Sequence, residues 1–428
     1  MVRVQEKRKE ITIERVSYAL FFASCVTFFA LQLISFVVKS FGGKNASNDI
    51  IFAISAFFGL IGVALKISTV FVNKKLKKPK IKGKFSENLE IFLLVFAFFW
   101  TLLATIFAVK QDVVWLGNSY NKEGFLSIVG YGVIGISAYM MRKEDRKRLL
   151  KLAVIFSTIP ATYLIFVNIF SLKAFIPPTR SIYLNSNHYG YALSVLTVIS
   201  AGLVLFGDKK TDKIIFSFCF AILNANLLVT DCFGAHVGEI VGLIALIVIK
   251  IVDTKKLPIV VLVIVAIMAV TTVSLEVTKI TNITDDYKAL FTDVKDITGG
   301  EATGAEGSQR VGLWEETLKT IGKAPIFGKG LDCYYKNNVY ADIDMPHNEY
   351  LQIASNAGIP TLVFYLGAIV TIYVKAIKRR KELKGEQKVA LGAGLAYLVS
   401  AFFGNTFLYT YPLLVITMAF GMKKEKDA

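Results

Sequence analysis

Apolar residues in this chain are concentrated in long runs that short polar segments separate. Each run has roughly 17–23 residues, which is enough for a helix to cross a hydrocarbon core of about 30 Å. Of the 428 residues, 54% are hydrophobic, too large a share for a soluble multidomain protein. The pattern predicts one integral membrane domain, residues 1–428, that is an all-α polytopic membrane protein. About twelve transmembrane helices are expected, at 17–38, 50–72, 89–109, 124–140, 150–170, 189–206, 214–230, 235–251, 257–275, 358–376, 389–405 and 408–422.

The net charge of +17 is distributed unevenly across the predicted membrane. With the N-terminus inside, 34 of the 49 lysines and arginines fall on the inner side and 14 on the outer side. This bias is the positive-inside rule, so both termini are expected in the cytoplasm and the protein in the cell membrane. The basic charge therefore indicates topology, with the lipid bilayer rather than nucleic acid as partner.

The longest polar segment is the outer loop 276–349, between predicted spans nine and ten. Loops of this length in compact proteins are usually functional or disordered. Apolar spacing from Val311 to Ile321 predicts a helix over 308–323, with Ser308 as its N-cap. Arg310 would then lie in the first turn, with Trp314 one turn further along the same side. Such a helix start with an arginine can hold a phosphate, although a surface arginine paired with a glutamate is the alternative.

His347 is one of three histidines in the chain, and it lies where the long loop returns to the membrane. Imidazole titrates near ~6.5, so it can exchange a proton at ordinary pH. The alternative is that His347 merely caps the amphipathic helix predicted over 347–357. A zinc site formed with His188 and His236 is a weaker alternative, because their spacing has no metal-binding signature. No metal and no cofactor are therefore predicted.

Polar residues near the outer ends of other predicted spans are further candidates for substrate binding. Arg180 lies outside against the charge bias. Asn185 and Asn187 can hydrogen-bond sugar hydroxyls, but Asn-Ser-Asn is equally a turn sequence. Glu239 lies about one turn into a span, where an ionisable group is costly unless it faces a cavity or a partner.

The loop motifs together carry a family resemblance. An arginine and tryptophan, Arg310 and Trp314, precede a Pro-x-x-Gly-x-Gly turn at 325–330 and the sequence His347-Asn348-Glu-Tyr350-Leu351. In order and spacing these residues resemble the O-antigen ligase/polymerase superfamily of membrane glycosyltransferases. Arg180 with Asn185-Ser-Asn187 is similar to an Arg…Asn-x-Asn stretch of that family.

One departure from the family pattern concerns the start of the eighth predicted span. Many members carry Ser-Arg-Gly-Ala there, whereas this chain has Cys232-Phe233-Gly234-Ala235. Any role of that arginine is absent here or belongs to another cation. A disulfide between Cys232 and Cys333 is an alternative that the sequence does not decide, because both cysteines are predicted at or beyond the outer surface.

The resemblance implies transfer of a glycan from undecaprenyl diphosphate at the outer leaflet. His347 is then the general base, and Arg310 and Arg180 neutralise the diphosphate. Asn185, Asn187, Trp314, Asn348, Tyr350 and Glu239 are the candidate substrate-binding residues. We favour a polymerase of lipid-linked repeats, with a glycan flippase and a chain-length regulator as candidate partners. The alternatives are a ligase that uses a lipid or protein acceptor, a twelve-span transporter, and a non-catalytic scaffold.

Overall fold

The computed structural model describes residues 2–40, 48–72, 85–118, 121–170, 183, 186–255, 258–278, 280–281, 306–333 and 345–422, with single positions between 284 and 299. Regular structure in these ranges is entirely helical. The helices are α1 (Val2–Ser40), α2 (Asn48–Val72), α3 (Leu89–Ile106), α4 (Gln111–Val114), α5 (Phe125–Met140), α6 (Lys143–Phe170), α7 (Ser186–Phe206), α8 (Lys210–Val229), α9 (Phe233–Thr254), α10 (Ile259–Val277), α11 (Glu306–Lys323), α12 (Glu349–Ala357), α13 (Ile359–Lys378), α14 (Gly385–Ser400) and α15 (Tyr411–Met422).

Nine helices in the described ranges are long and apolar enough to cross a membrane, which confirms the multi-pass membrane class. The remaining three predicted spans coincide with α5, α14 and α15, which have 16, 16 and 12 residues. At 1.5 Å per residue these helices are shorter than the hydrocarbon core is thick. The count of twelve spans therefore stays a prediction.

α7 is the central helix of the bundle. Nearly all of its side chains are buried, because α8, α9 and α14 pack around it. α10 shows the opposite pattern, with apolar side chains such as Val265, Val270 and Val273 exposed. A helix that exposes apolar side chains is suited to contact with lipid. α10 therefore belongs to the periphery of the bundle.

Small residues bring α9 and α14 into close contact. Gly234, Gly238 and Gly242 are spaced one turn apart on the face of α9 that meets α14 or the turn after it. A Cβ atom at Gly238 would lie 2.5 Å from the Ala396 carbonyl oxygen, closer than any real contact. Small residues allow such backbone approach between membrane helices. This packing fixes the N-terminal end of α9 beside the connection that follows α14.

Gly238→Ala is expected to lower the thermal stability of the purified protein, because the added methyl group would force α9 away from α14. Overpacking of this kind costs about 1–3 kcal/mol. Gly132→Ala in α5 is the matched control, since a Cβ there meets nothing within 4 Å. Thermal unfolding in detergent measures both variants. Equal melting temperatures for the two would contradict the close packing.

Candidate functional site

His347 lies immediately before α12, and its backbone has a left-handed conformation with φ 49°. The helix begins at Glu349, not at 347 as predicted, and Asn348 is its N-cap. The side-chain oxygen of Asn348 accepts a hydrogen bond of 3.1 Å from the Leu351 amide. The alternative that His347 caps the helix is therefore wrong, because Asn348 performs that function.

The chain on both sides of His347 is held by other elements. The indole N–H of Trp314 donates to the Pro346 carbonyl oxygen at 3.0 Å. The side-chain amide of Asn405 lies 3.4 Å from Nδ1 of the imidazole. Left-handed conformations of non-glycine residues cost of order 1–3 kcal/mol and persist only where the surroundings impose them. The position of His347 is thus determined by tertiary contacts.

Burial is the main reason that the pKa of His347 falls to about 4, and the nearby positive charge of Arg310 lowers it further. The imidazole is therefore neutral at pH 7. A neutral imidazole has a free lone pair on one ring nitrogen, so it can accept a proton from a substrate hydroxyl.

Arg310 lies further into its helix than the sequence predicts. α11 begins at Glu306, so Ser308 is a helical residue rather than the N-cap and Arg310 is about one turn from the start. The free N–H groups of the helix start therefore belong to residues before Arg310. The sequence misplaced this boundary because a serine before an apolar pattern is typical of a cap.

The charge of Arg310 acts on three groups from separate parts of the chain: His347, Tyr191 in α7 and the Cys232 thiol before α9. The arginine is half-buried, and no carboxylate pairs with it among the described side chains. The alternative of a surface arginine paired with a glutamate is thus not what the described part of the structure shows. The role of Arg310 as a phosphate ligand stays a prediction.

Trp314, Tyr350 and Phe402 form an aromatic cluster beside His347. The rings of Trp314 and Phe402 meet edge to face, with their centroids 5.3 Å apart. The Tyr350 hydroxyl donates to the Leu398 carbonyl oxygen at 2.6 Å, which ties α12 to α14. The structure thus brings four of the predicted site residues together with Arg310, namely His347, Trp314, Asn348 and Tyr350.

The Pro-x-x-Gly-x-Gly turn is the docking point for the C-terminal end of α12. The amides of Lys329 and Gly330 donate to the carbonyl oxygens of Ser355 and Asn356 at 2.7 and 3.0 Å. Gly328 has φ 67°, and a Cβ atom there would lie 2.5 Å from the Asn356 backbone. Glycine is required at this position by both its conformation and its close approach. The motif therefore supports the helix that follows His347.

Asn187 and Glu239 are the other predicted substrate-binding residues that the structure describes. The Asn187 carbonyl oxygen accepts from the Cys232 thiol at 3.7 Å, which places the start of α7 beside the start of α9. Glu239 is buried in α9, and its Oε1 has no hydrogen-bond partner among the described atoms. Arg180 and Asn185 lie outside the described residues.

Cys232 and Cys333 are both free, buried thiols, so the disulfide left open by the sequence is not formed. They belong to different apolar clusters. Cys232 packs in the main core, whereas Cys333 packs in a small cluster with Ala104, Val114 and Leu331. Cysteines separated in this way cannot meet the short Cβ distance that a disulfide needs.

Several residues close to the site have no signal in the sequence that would single them out. Glu349 is fully buried, although its neighbour His347 drew attention to the segment. Asn405 comes from the connection between α14 and α15. The rings of His188 and Phe407 contact each other at a tilt of 43°, with their centroids 3.8 Å apart. These contacts join positions far apart in the chain, so only covariation or a structure could reveal them.

The fold and these contacts define a helical, multi-pass membrane protein with a half-buried histidine, His347, and a nearby arginine, Arg310. Residues 218–366 match the family model described as O-antigen ligase. This range contains Glu239, Arg310, Trp314 and the segment from His347 to Tyr350. The match confirms the resemblance to the O-antigen ligase/polymerase superfamily that the motifs predict. No curated protein matches the chain significantly.

Proposed function

We propose that this protein is a membrane glycosyltransferase that uses an undecaprenyl-diphosphate-linked glycan as donor at the outer face of the cell membrane. The observation that carries the proposal is that two groups with suitable chemistry are neighbours. His347 is neutral and held in place, and Arg310 has no carboxylate partner among the described residues. A base and a separate cation are what transfer from a diphosphate requires.

In the proposed reaction, His347 removes the proton from a hydroxyl group of the acceptor. The resulting oxygen nucleophile attacks the anomeric carbon of the donor sugar and forms the new glycosidic bond. The bond from that carbon to the diphosphate oxygen breaks, and the electron pair leaves with the diphosphate. Arg310, with Arg180 as the second predicted cation, stabilises the negative charge of the leaving group.

The side chain of Asn405 supports this assignment through the tautomer of His347. If Nε2 is the base, Nδ1 must carry the proton and needs an acceptor. The buried Oδ1 of Asn405 has no partner among the described atoms, while its amide nitrogen lies beside Nδ1. The oxygen and nitrogen ends of a side-chain amide have nearly the same shape, so the Asn405 amide fits its site in either orientation. When it is rotated by 180°, its Oδ1 accepts a hydrogen bond from Nδ1–H of His347, and the lone pair of Nε2 is free.

The acceptor distinguishes two forms of the activity. A lipid-linked repeat as acceptor gives a polymerase, which is the form we favour, with a flippase and a chain-length regulator as its partners. A lipid or protein acceptor gives a ligase, and the match of residues 218–366 to the O-antigen ligase family model supports this second candidate. Purified protein in liposomes that contain lipid-linked glycan separates the two. Ladders of increasing length indicate a polymerase, and a single transfer to an added acceptor indicates a ligase.

The proposal also requires the site to face the outside, with twelve spans and both termini in the cytoplasm. Single cysteines at the exposed positions Lys319 and Lys381, introduced without the native cysteines, test this orientation. A membrane-impermeant maleimide is expected to label Lys319→Cys in intact cells and Lys381→Cys only after permeabilisation. The reverse pattern would place α11 and the site on the cytoplasmic side and refute an outer-leaflet enzyme.

A further inference from the structure

Glu349 is a fully buried carboxylate that the proposed reaction does not use. Burial without partners is costly for such a group, so its contacts need an explanation. The Tyr365 hydroxyl donates to Oε1 at 3.0 Å, and the Tyr397 hydroxyl donates to Oε2 at 2.9 Å. Both carboxylate oxygens are therefore satisfied, each by a tyrosine from a different helix.

The two tyrosines connect the start of α12 to the bundle. Tyr365 belongs to α13 and Tyr397 to α14, while Glu349 is the first residue of α12. The same helix is also attached to the connection between α14 and α15, because the Thr406 amide donates to Gln352 at 2.9 Å. Asn405, the residue next to Thr406, is the one that touches His347. The connection between α14 and α15 therefore contacts both α12, which begins with Glu349, and the imidazole of His347.

The position of Glu349 matters because only Asn348 separates it from His347. The left-handed backbone at His347 is unfavourable and must be imposed by neighbours. On the N-terminal side, Trp314 holds the Pro346 carbonyl. On the C-terminal side, the strongest fixed point is Glu349 with its two hydroxyl donors. Loss of the contacts on either side would let residues 346–349 relax to an ordinary backbone conformation, and the imidazole ring of His347 would move.

We propose that Glu349, held by Tyr365 and Tyr397, is the positioning residue that fixes the imidazole of His347 against Asn405. Other ionisable groups around this carboxylate are Tyr411 of α15 and Glu123, which itself accepts from the Tyr131 hydroxyl at 2.8 and 2.9 Å. Burial raises the pKa of Glu349 to about 7, and the tyrosine hydroxyls oppose this rise. The consequence for turnover rests on the proposed function, but the placement of the ring does not.

Histidine labelled with ¹³C at Cε1 gives a direct readout, because the chain has only three histidines. Spectra of His188→Asn, His236→Asn and His347→Asn assign the three resonances. Tyr365→Phe, Tyr397→Phe and Glu349→Gln are each expected to shift the His347 resonance and to leave that of His236 in α9 unchanged. In a transfer assay kcat should fall about 10- to 100-fold with little change in KM, as expected for a misplaced base.

Tyr373→Phe is the matched control. Its hydroxyl also links α13 to α14, by a 2.8 Å hydrogen bond to the Leu391 carbonyl, but it does not contact Glu349. This variant should leave the His347 resonance and kcat unchanged. An unmoved His347 resonance in the three test variants, or an equal shift in Tyr373→Phe, would overturn the proposal.

Failure of the proposed function and failure of the positioning role can be told apart. If the wild-type protein transfers no glycan, the proposed function fails, but the spectra still test whether Glu349 positions His347. If one tyrosine variant fails to fold, Glu349→Gln carries the test.

Discussion

His347→Ala is expected to abolish detectable polymer while the protein is still inserted in the membrane. A general base contributes about 10²–10⁴-fold to the rate, and alanine has no group that can take the acceptor proton. Lipid-linked repeats should accumulate at the outer leaflet, where an added glycan-binding probe can reach them. Immunodetection of polymer and probe labelling of intact cells measure the two effects.

His236→Ala is the control for this experiment, because His236 is a buried histidine in α9. Wild-type polymer in His347→Ala cells would refute the catalytic role, and a loss smaller than about tenfold would favour mere positioning. Repeats stranded on the inner leaflet would instead favour a transporter.

The pH dependence gives a second check on the same residue. Burial and the Arg310 charge hold the pKa of His347 at about 4, below the ordinary value of 6.5. The folded protein therefore keeps the base form until the pH falls to about 4, whereas an unperturbed imidazole would lose it near 6.5. We expect the His347 imidazole to take up a proton only near pH 4, as read from its ¹³Cε1 resonance, whereas kcat/KM also falls near pH 7, where Glu349 takes up a proton. Protonation of the imidazole centred near 6.5 would contradict the half-buried, cation-flanked site.

Arg310→Ala is expected to lower turnover about 10²–10³-fold, the range found when one group that stabilises developing charge is removed. Arg310→Lys should remain impaired, because it keeps the charge but loses the planar fork that binds two phosphate oxygens at once. The pKa of His347 should rise in Arg310→Ala, since a neighbouring positive charge is gone. A transfer assay and histidine NMR measure these two effects.

Lys319→Ala is the matched control on α11, because Lys319 is exposed and forms an ion pair with Glu316 at 2.9 Å. It should leave both turnover and the His347 pKa unchanged. Normal activity of Arg310→Ala at normal expression would remove this residue from the site.

The membrane class and most helix positions were predictable from local sequence. Burial of an apolar run in lipid depends on the composition of that run, and each span forms its backbone hydrogen bonds within itself. The helices α5, α14 and α15 do not meet the length of a span, because they have 16, 16 and 12 residues. The helix starts at Glu306 and Glu349 were misplaced because Ser308, a typical cap residue, lies inside α11, and because Asn348 rather than His347 caps α12.

The sequence by itself determined which residues share the long polar segment between two spans: Arg310, Trp314 and His347 are close in the chain and arranged in a motif. The tertiary structure decided what surrounds them. Asn405, Tyr365 and Tyr397 lie between 16 and 58 residues from their partners, so no local pattern indicates the contact. The left-handed backbone at His347 and the buried carboxyl group of Glu349 are unfavourable in isolation. They exist because α13, α14 and the connection after α14 supply the hydrogen bonds that hold them, and such contacts are a property of the packed bundle rather than of any single segment.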